Sequence, residues 1–576
     1  MNLLVVVVIS AVFLFLAYRV YGGLLARLFK LDKNARTPAV QMRDDVDFAP
    51  IDSKFLLGQH FSAIAAAGPI VGPILAGVMF GWGPALLWIL VGSVFIGGVH
   101  DFGSLMASVR HQARSIAEVV NEHMSRRSYI LFLIFIWITL VYIIVAFTDI
   151  VASSFVGKHT LENGTVITGG GIASSSMLYL ALPVVMGLLM RYARLSLFWA
   201  TVIFLPLVGV AIWVGQFIPF DLPSLLSVSD SSGRQLWDML LLGYCFLASV
   251  VPMWLLLQPR GHLGGFFLYI ALAAGALGII FGGKEVQYPV FTGLVTAKGI
   301  PMFPMLFITI ACGACSGFHA LVSSGTTSKQ LKYETDAKLI GYGSMLLEAM
   351  VAIVSLCCVM MLAQDHHVFK GPIKANLVYG LGIGSFMEVI HVPPAFGVSF
   401  GLLAFTTFVY DTLDVATRLG RYIMQELTGW KGRFGRYFST LATAGVPLFF
   451  VMRETRDPAG NVIPVWQVFW ALFGASNQLL AALTLVGVTV WLYRKYHARW
   501  VYAVTIPPAI FMYVMSFWAL ARFVKMGFFK PDWAFKGLST DPVPYVAVIL
   551  LLLAILILIE AARAFLSKSS VPKAAT

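Results

Sequence analysis

The chain has 576 residues, of which 59% are hydrophobic and 12% charged, where a soluble domain carries roughly a quarter charged residues. With a mean hydropathy of +0.84, too little polar surface remains to wrap a water-soluble core, so a soluble enzyme is excluded and lipid is the main solvent. The formal charge of +13 would suit a nucleic-acid partner, but the basic residues sit in short gaps between apolar runs, which makes them a topology signal and removes that class.

Apolar stretches of about 17 to 25 residues are the length that crosses a bilayer. They predict fifteen spans, beginning near residues 3, 55, 84, 129, 177, 197, 236, 264, 301, 339, 385, 438, 465, 500 and 543. The first run has no basic residue before it and no small-residue cleavage site after it, so it reads as a retained helix rather than a signal peptide. With the N-terminus outside, 28 of the 40 basic residues fall in cytoplasmic gaps or the C-terminal tail, which predicts an N-out, C-in protein. Arg260 counts there as a cytoplasmic gap residue, while Lys525, Lys530 and Lys536 fall on the outer side against the trend. No gap is long enough for a folded domain, so one polytopic unit is expected over 1–576, its last two spans and tail in 496–576. The charged gap 31–54 (Asp32, Arg36, Arg43, Asp44, Asp45, Asp47) reads as a solvated loop or a segment along the inner face. Binding or catalysis must then be intramembrane.

Polar and helix-breaking residues inside the spans carry the chemistry, because each costs free energy in hydrocarbon. In the second span Pro69 and Pro73 remove backbone donors and Gly68 and Gly72 relax the chain beside them, with His60 and Ser62 nearby. The helix is expected to unwind there and to offer freed carbonyls and N–H groups to an ion or a carboxylate; a kinked packing helix is the alternative. The ninth span offers Ser316, His319, Ser323, Ser324, Thr326 and Thr327, which suit Na⁺ or a carboxylate, or serve as interhelical hydrogen-bonding groups. Asn477 and Gln478 place two amides in one later helix. His100-Asp101 is a candidate proton carrier or a structural pair. Asp411 and Asp414 share a helix face near the inner end of the eleventh span and are read either as coupling groups or as partners of Arg418 and Arg421. Asp149 and Glu348 complete the intramembrane acids. Cys312-x-x-Cys315 has a redox or zinc spacing, but among Ala and Gly it reads as small packing residues, and the five cysteines give no disulfide framework. No metal site is expected.

The segments Gly58-Gln59-His60-Phe61 through Pro73, Val99 to Phe102, Cys312 to Lys329, Asp411 to Tyr422 and Leu472 to Leu480 resemble the carbon starvation protein A family, bacterial inner-membrane carriers linked to peptide and pyruvate uptake. They run in order between residues 50 and 490, dividing the family region into a core with broken helices (50–360) and C-terminal helices (361–495). Where the family shows Gly-His-His-Phe this chain has Gln59 before His60, so no role needing two imidazoles carries over. The resemblance implies an all-α integral membrane fold of the amino acid-polyamine-cation type, with inverted five-helix repeats around broken helices. It further implies a secondary active importer of small carboxylate-bearing nutrients, short peptides or pyruvate, in the carbon-starvation response. Its coupling ion would be H⁺ or Na⁺, with no other cofactor. A passive channel is the alternative, and a membrane-embedded enzyme the remote one. Walker A and His-Glu-x-x-His patterns are absent, and His60, His100, His319 and His391 show no paired spacing on one helix.

Overall fold

The computed structural model describes residues 2–44, 48–160, 164, 166–252, 254–456, 462–539 and 541–566. Asp45, Asp47 and the tail lysines Lys568 and Lys573, which entered the loop and topology expectations, lie outside them. In hydrocarbon every backbone polar group must be satisfied within its own segment, and the apolar runs accordingly form helices. The first half comprises α1 (Leu3–Leu28), a short α2 (Pro38–Gln41), α3 (Ser53–Ile64), α4 (Gly68–Phe80), α5 (Trp82–Gly92), α6 (Gly98–Arg110), α7 (Ile116–His123), α8 (Arg126–Ser154), α9 (Gly169–Tyr192), α10 (Leu197–Phe217), a short α11 (Leu222–Leu226), α12 (Asp230–Val250) and α13 (Leu257–Phe281). The second comprises α14 (Met302–Thr309), α15 (Ala311–Ala314), α16 (Phe318–Gly325), α17 (Ser344–Met360), α18 (Ala375–Met387), α19 (Pro394–Thr428), α20 (Gly432–Val451), α21 (Val465–Tyr496), a short α22 (Val501–Val504), α23 (Ile506–Phe528) and α24 (Val543–Leu566). π-helical turns at Ser93–Gly97 and Lys338–Gly343 lead into α6 and α17.

Among the described residues, the expected fifteen spans stand against eleven helices long and apolar enough to cross a membrane, or twelve with the α3–α4 pair, bent by 48°. Polar residues dilute two of the others, Asp230, Arg234 and Asp238 in α12 and Arg433 and Arg436 in α20, and the run from 301 is divided into α14, α15 and α16. The apolar run from 385 is not one helix. It is cut before Pro393-Pro394, where α19 begins, because proline restricts the residue before it and lacks an N–H. There α18 folds back on α19, with Gly384 against Gly397 and Gly380 against Gly401.

Long-range hydrogen bonds sort the helix ends onto two faces. On the first, Leu3 N donates to Lys284 O (3.0 Å), Thr292 N to Phe80 O (3.2 Å) and Gln287 N to Met360 O (2.7 Å). On the second, Ile51 N donates to Gln330 O (3.1 Å), Arg110 to Phe29 O and Glu334 (2.7 Å each), and Arg494 to His123 O (2.8 Å). Two sets of five follow, α3–α4, α5–α6, α8, α12, α13 and α14–α16, α17, α19, α20, α21, whose corresponding members run in opposite senses between the faces. The third and fourth members pack on their counterparts, α8 on α19 and α12 on α20. This is an inverted repeat. The α9–α10 hairpin is inserted between the third and fourth helices of the first set.

Each set opens with a broken helix, and the breaks meet. Gly68 lies against Cys312, and Gly72 against the Thr309 carbonyl, so closely that a Cβ at either would collide. Gly72 therefore admits helix backbone, not a ligand, and the same contact brings Pro69 beside Gly313.

Candidate functional site

Beside the first break, α3, α13, α19 and the chain after α16 enclose a cavity of about 40 Å³, lined among others by His60, Ser62, Gln258, Thr326, Thr327 and Asp411. A volume of that order holds one or two waters or a single small polar group. A larger cavity of about 560 Å³ shares Gln59, Gln258 and Gln330 with it and extends to Asp52 and Arg191 at the second face. Three amides thus form the neck between the two.

Asp411 is held on both oxygens. Its Oδ1 accepts from Arg260 Nε at 2.7 Å and its Oδ2 from Ser62 Oγ at 2.6 Å. Asp414 Oδ2 lies 2.6 Å from Arg260 Nη1 and accepts from the Tyr244 hydroxyl at 2.9 Å. Arg260 also donates from Nη2 to Tyr410 O at 2.9 Å and from Nη1 to Tyr244. Its side chain is fully buried, and a guanidinium keeps its charge in proteins. Two carboxylates around one guanidinium leave a surplus negative charge, and of these three residues Asp411 is the one that borders the cavity. The reading of Arg260 as a cytoplasmic gap residue is corrected: α13 begins at Leu257 and accommodates Pro259 in its first turn, where a missing N–H costs nothing, so Arg260 is carried into the bundle. The pairing of Asp411 and Asp414 with Arg418 or Arg421 is corrected as well, since Arg418 donates to Ala248 O (2.6 Å) and Val251 O (2.8 Å).

A second buried cluster joins three helices. Asp101 on α6 accepts from His100 Nδ1 on Oδ1 and from His319 Nδ1, on α16, on Oδ2, both at 2.7 Å. The other nitrogen of His319, Nε2, lies 3.2 Å from Glu348 Oε2 on α17. All four side chains are fully buried. If both acids are ionised, a protonated His319 balances only one of them; a further proton or a cation closes the balance.

The remaining candidates divide by role. His60 Nδ1 sits 2.8 Å from Thr327 Oγ1, while Thr326 returns its hydroxyl to Val322 O at 2.9 Å. Asn477 stitches the second break: its Oδ1 accepts from Phe318 N (3.0 Å), its Nδ2 donates to Ser316 Oγ (3.0 Å), and its carbonyl accepts from Gly317 N (3.1 Å). Gln478 Nε2 donates to Phe307 O at 2.7 Å. These amides satisfy backbone and hydroxyl groups that a broken helix leaves open. Ser323 is buried away from the cavity, and Ser324 bonds Ala320 O at 2.7 Å and borders a different pocket with Glu426. Gly68, Pro69, Gly72 and Pro73 are not among the cavity's lining residues. Asp149 pairs with Arg234 at 3.2 Å, and His391 is exposed in the turn before α19. The sequence reading missed Arg260, Tyr244, Gln59, Gln258 and Gln330, and it noted Glu348 without a partner.

A family model described as Carbon starvation protein CstA matches residues 2–376 and 370–519. Among curated relatives, "Peptide transporter CstA" of Helicobacter pylori is 33% identical over 86% of this chain and 78% of its own length. "Pyruvate/proton symporter BtsT" of Escherichia coli is 31% identical over 89% and 81%, and "Peptide transporter CstA" of Bacillus subtilis is 30% identical over 98% and 97%. Among solved structures, MhsT in complex with L-phenylalanine aligns with 11% identity and a TM-score of 0.49, covering 88% of this chain and 98% of that one. A manganese transporter of Eremococcus coleocola aligns with 13% identity and a TM-score of 0.42, covering 91% and 99%.

Proposed function

Because the chain belongs to the carbon starvation protein CstA family, we propose that it is a secondary active transporter, not an enzyme, importing a small carboxylate-bearing nutrient across the bacterial inner membrane with protons as the coupling ion. Two relatives of this chain are named for peptide transport and for pyruvate/proton symport, and the substrate is drawn from those classes. The observation that carries the reading is a division of labour inside one bundle. A small cavity bordered by polar side chains lies between α3, α13 and α19, and a separate buried cluster places His319 between Asp101 and Glu348. Substrate sits in the larger cavity and its carboxylate meets the Gln, Thr and His donors at the three-amide neck, while the His319 cluster takes up and releases the proton. The second face is cytoplasmic in this reading, since Arg110, Arg114, Arg126, Arg127, Arg191 and Arg194 gather at its helix ends and loops. The N-terminus is then outside and the larger cavity is the route to the cytoplasm.

Full-length protein in proteoliposomes, given labelled pyruvate or labelled dipeptides under ΔpH and Na⁺ gradients imposed separately, tests the proposal. The expected result is accumulation of one substrate driven by inward ΔpH. Downhill flux without accumulation under either gradient would make the protein a channel, and accumulation under Na⁺ alone would move the coupling ion to the Ser/Thr groups of residues 323–327.

A further inference from the structure

On the second face, α6 ends at Arg110 and the amphipathic α7 runs from Ile116 to His123 before α8 begins. The turn between them, with positive φ at Gln112 and Ala113, folds the chain back so that His111 meets the end of α7. The Nε2 atoms of His111 and His123 lie 2.8 Å apart, and Glu122 Oε1 lies 3.9 Å from each. One ligand atom from each of the three side chains fits within 4.8 Å of the others, and among the described residues this is the only such group of His, Cys, Asp or Glu.

Two features prepare the group for coordination. His111 Nδ1 donates to Ala107 O at 2.6 Å, which holds the proton on Nδ1 and leaves the Nε2 lone pair facing the cluster, as a backbone carbonyl does behind a metal-bound histidine. The frame is braced from α21, where Trp491 meets the His111 ring edge to face at 5.3 Å and Arg494 donates to His123 O at 2.8 Å.

We propose that His111, Glu122 and His123 bind a first-row transition-metal dication, with Zn²⁺ as the reference ion. Two imidazoles and one carboxylate are a zinc donor set, whereas Ca²⁺ and Mg²⁺ ask for shells of oxygen. The surroundings sharpen that choice. Arg114 Nη1 stands 4.0 Å from Glu122 Oε2, and Arg494 and Lys495 act on His123, so net charge opposes a dication and only coordinate bonds to nitrogen retain one. Zn–N bonds of about 2.0–2.1 Å set tetrahedral nitrogens roughly 3.3 Å apart. The rings therefore part slightly, and Glu122, about half exposed, swings in, with water as the fourth ligand. The ion ties the start of the α6–α7 turn to the last turn of α7.

The test uses tag-free full-length protein in detergent, with Zn²⁺ binding by calorimetry and Co²⁺ as an absorption probe of coordination. One equivalent is expected, insensitive to excess Ca²⁺ or Mg²⁺, with tetrahedral Co²⁺ bands. His111→Ala and His123→Ala each weaken binding roughly ten- to hundredfold, and Glu122→Gln, at an exposed position, weakens it less while keeping the protein monodisperse. If the histidine variants fail to fold, the Co²⁺ spectrum of the wild type and the Glu122→Gln titration decide. Absence of a site with a dissociation constant below about 10 µM, or wild-type binding in all three variants, overturns the proposal and leaves His111 and His123 as a plain hydrogen-bonded pair.

Discussion

The two buried charge clusters share a core and differ in its central group, and the second adds His100 on Asp101. Each sets two carboxylates around one cation, Asp411 and Asp414 around Arg260, Asp101 and Glu348 around His319. Arg260 cannot release its proton and has donors placed on two acids, a tyrosine hydroxyl and a backbone carbonyl, so its cluster is a fixed electrostatic post with Asp411 at the edge of the cavity. His319, unlike a guanidinium, can give up its proton, so the same arrangement becomes a switch. A transporter that separates substrate recognition from ion coupling needs one of each.

That contrast breaks most sharply at the guanidinium. Arg260→Met strands two buried carboxylates, and breaking a buried pair costs about 3–5 kcal/mol. The expected outcome is loss of folded protein in size-exclusion profiles of membrane extracts. Wild-type yield and melting temperature in that variant would remove the fixed post from the account. In the other cluster the fold should survive and the coupling should not. Asp101→Asn and Glu348→Gln are each expected to lower ΔpH-driven accumulation by about two orders of magnitude, close to 2.7 kcal/mol, while exchange of substrate down its own gradient continues. Unchanged accumulation in both would assign the cluster to packing.

Smaller effects sharpen the same comparison. Ser62→Ala deletes the 2.6 Å hydrogen bond to Asp411, a charged bond worth about 1.5–3 kcal/mol at most. It should raise KM for transport roughly three- to tenfold at an unchanged ratio of protons to substrate. A shift in that ratio would show that the two clusters are not separate. His123 supplies a control outside both. Its pKa falls from 6.5 to about 4 in the folded protein, so the unfolded chain binds the proton more readily in that interval. Melting temperature measured in detergent should therefore decline as pH drops from 6.5 towards 4 and stay level above 7, and His123→Gln should flatten part of the decline.

The first break was legible in kind but not in place: Pro69 sits in the first turn of α4 and the run divides ahead of it, at 65–67, while Gly72 and Pro73, where unwinding was expected, are carried inside α4. What fills the opened space is not local. A glycine relieves a helix equally for a ligand or for backbone, and at Gly72 the neighbour is the Thr309 carbonyl, far along the chain. Arg260 was misplaced for a related reason, since a basic residue beside a proline between two apolar runs looks the same in a loop as in a first helical turn. Its partners lie some 150 residues away, and only the crossing of α13 with α19 discloses them. His100, Asp101, His319 and Glu348 were each visible as costly intramembrane groups, but helical periodicity orders residues within one helix and says nothing about which helices meet. The turn at 391–393 had its signal in Pro393-Pro394, outweighed by the apolar residues on both sides.

A π-helical turn at Ser93–Gly97 joins α5 to α6, and another at Lys338–Gly343 opens the run into α17, so each five-helix set carries one in its second member. One surplus residue in an α-helix turns everything beyond it by about 100°. Beyond the first lie His100 and Asp101, and beyond the second lies Glu348. The aim of both acids at His319 is thus a matter of counting residues: shortening either turn by one would point a carboxylate at a different neighbour while every side chain of the cavity kept its identity.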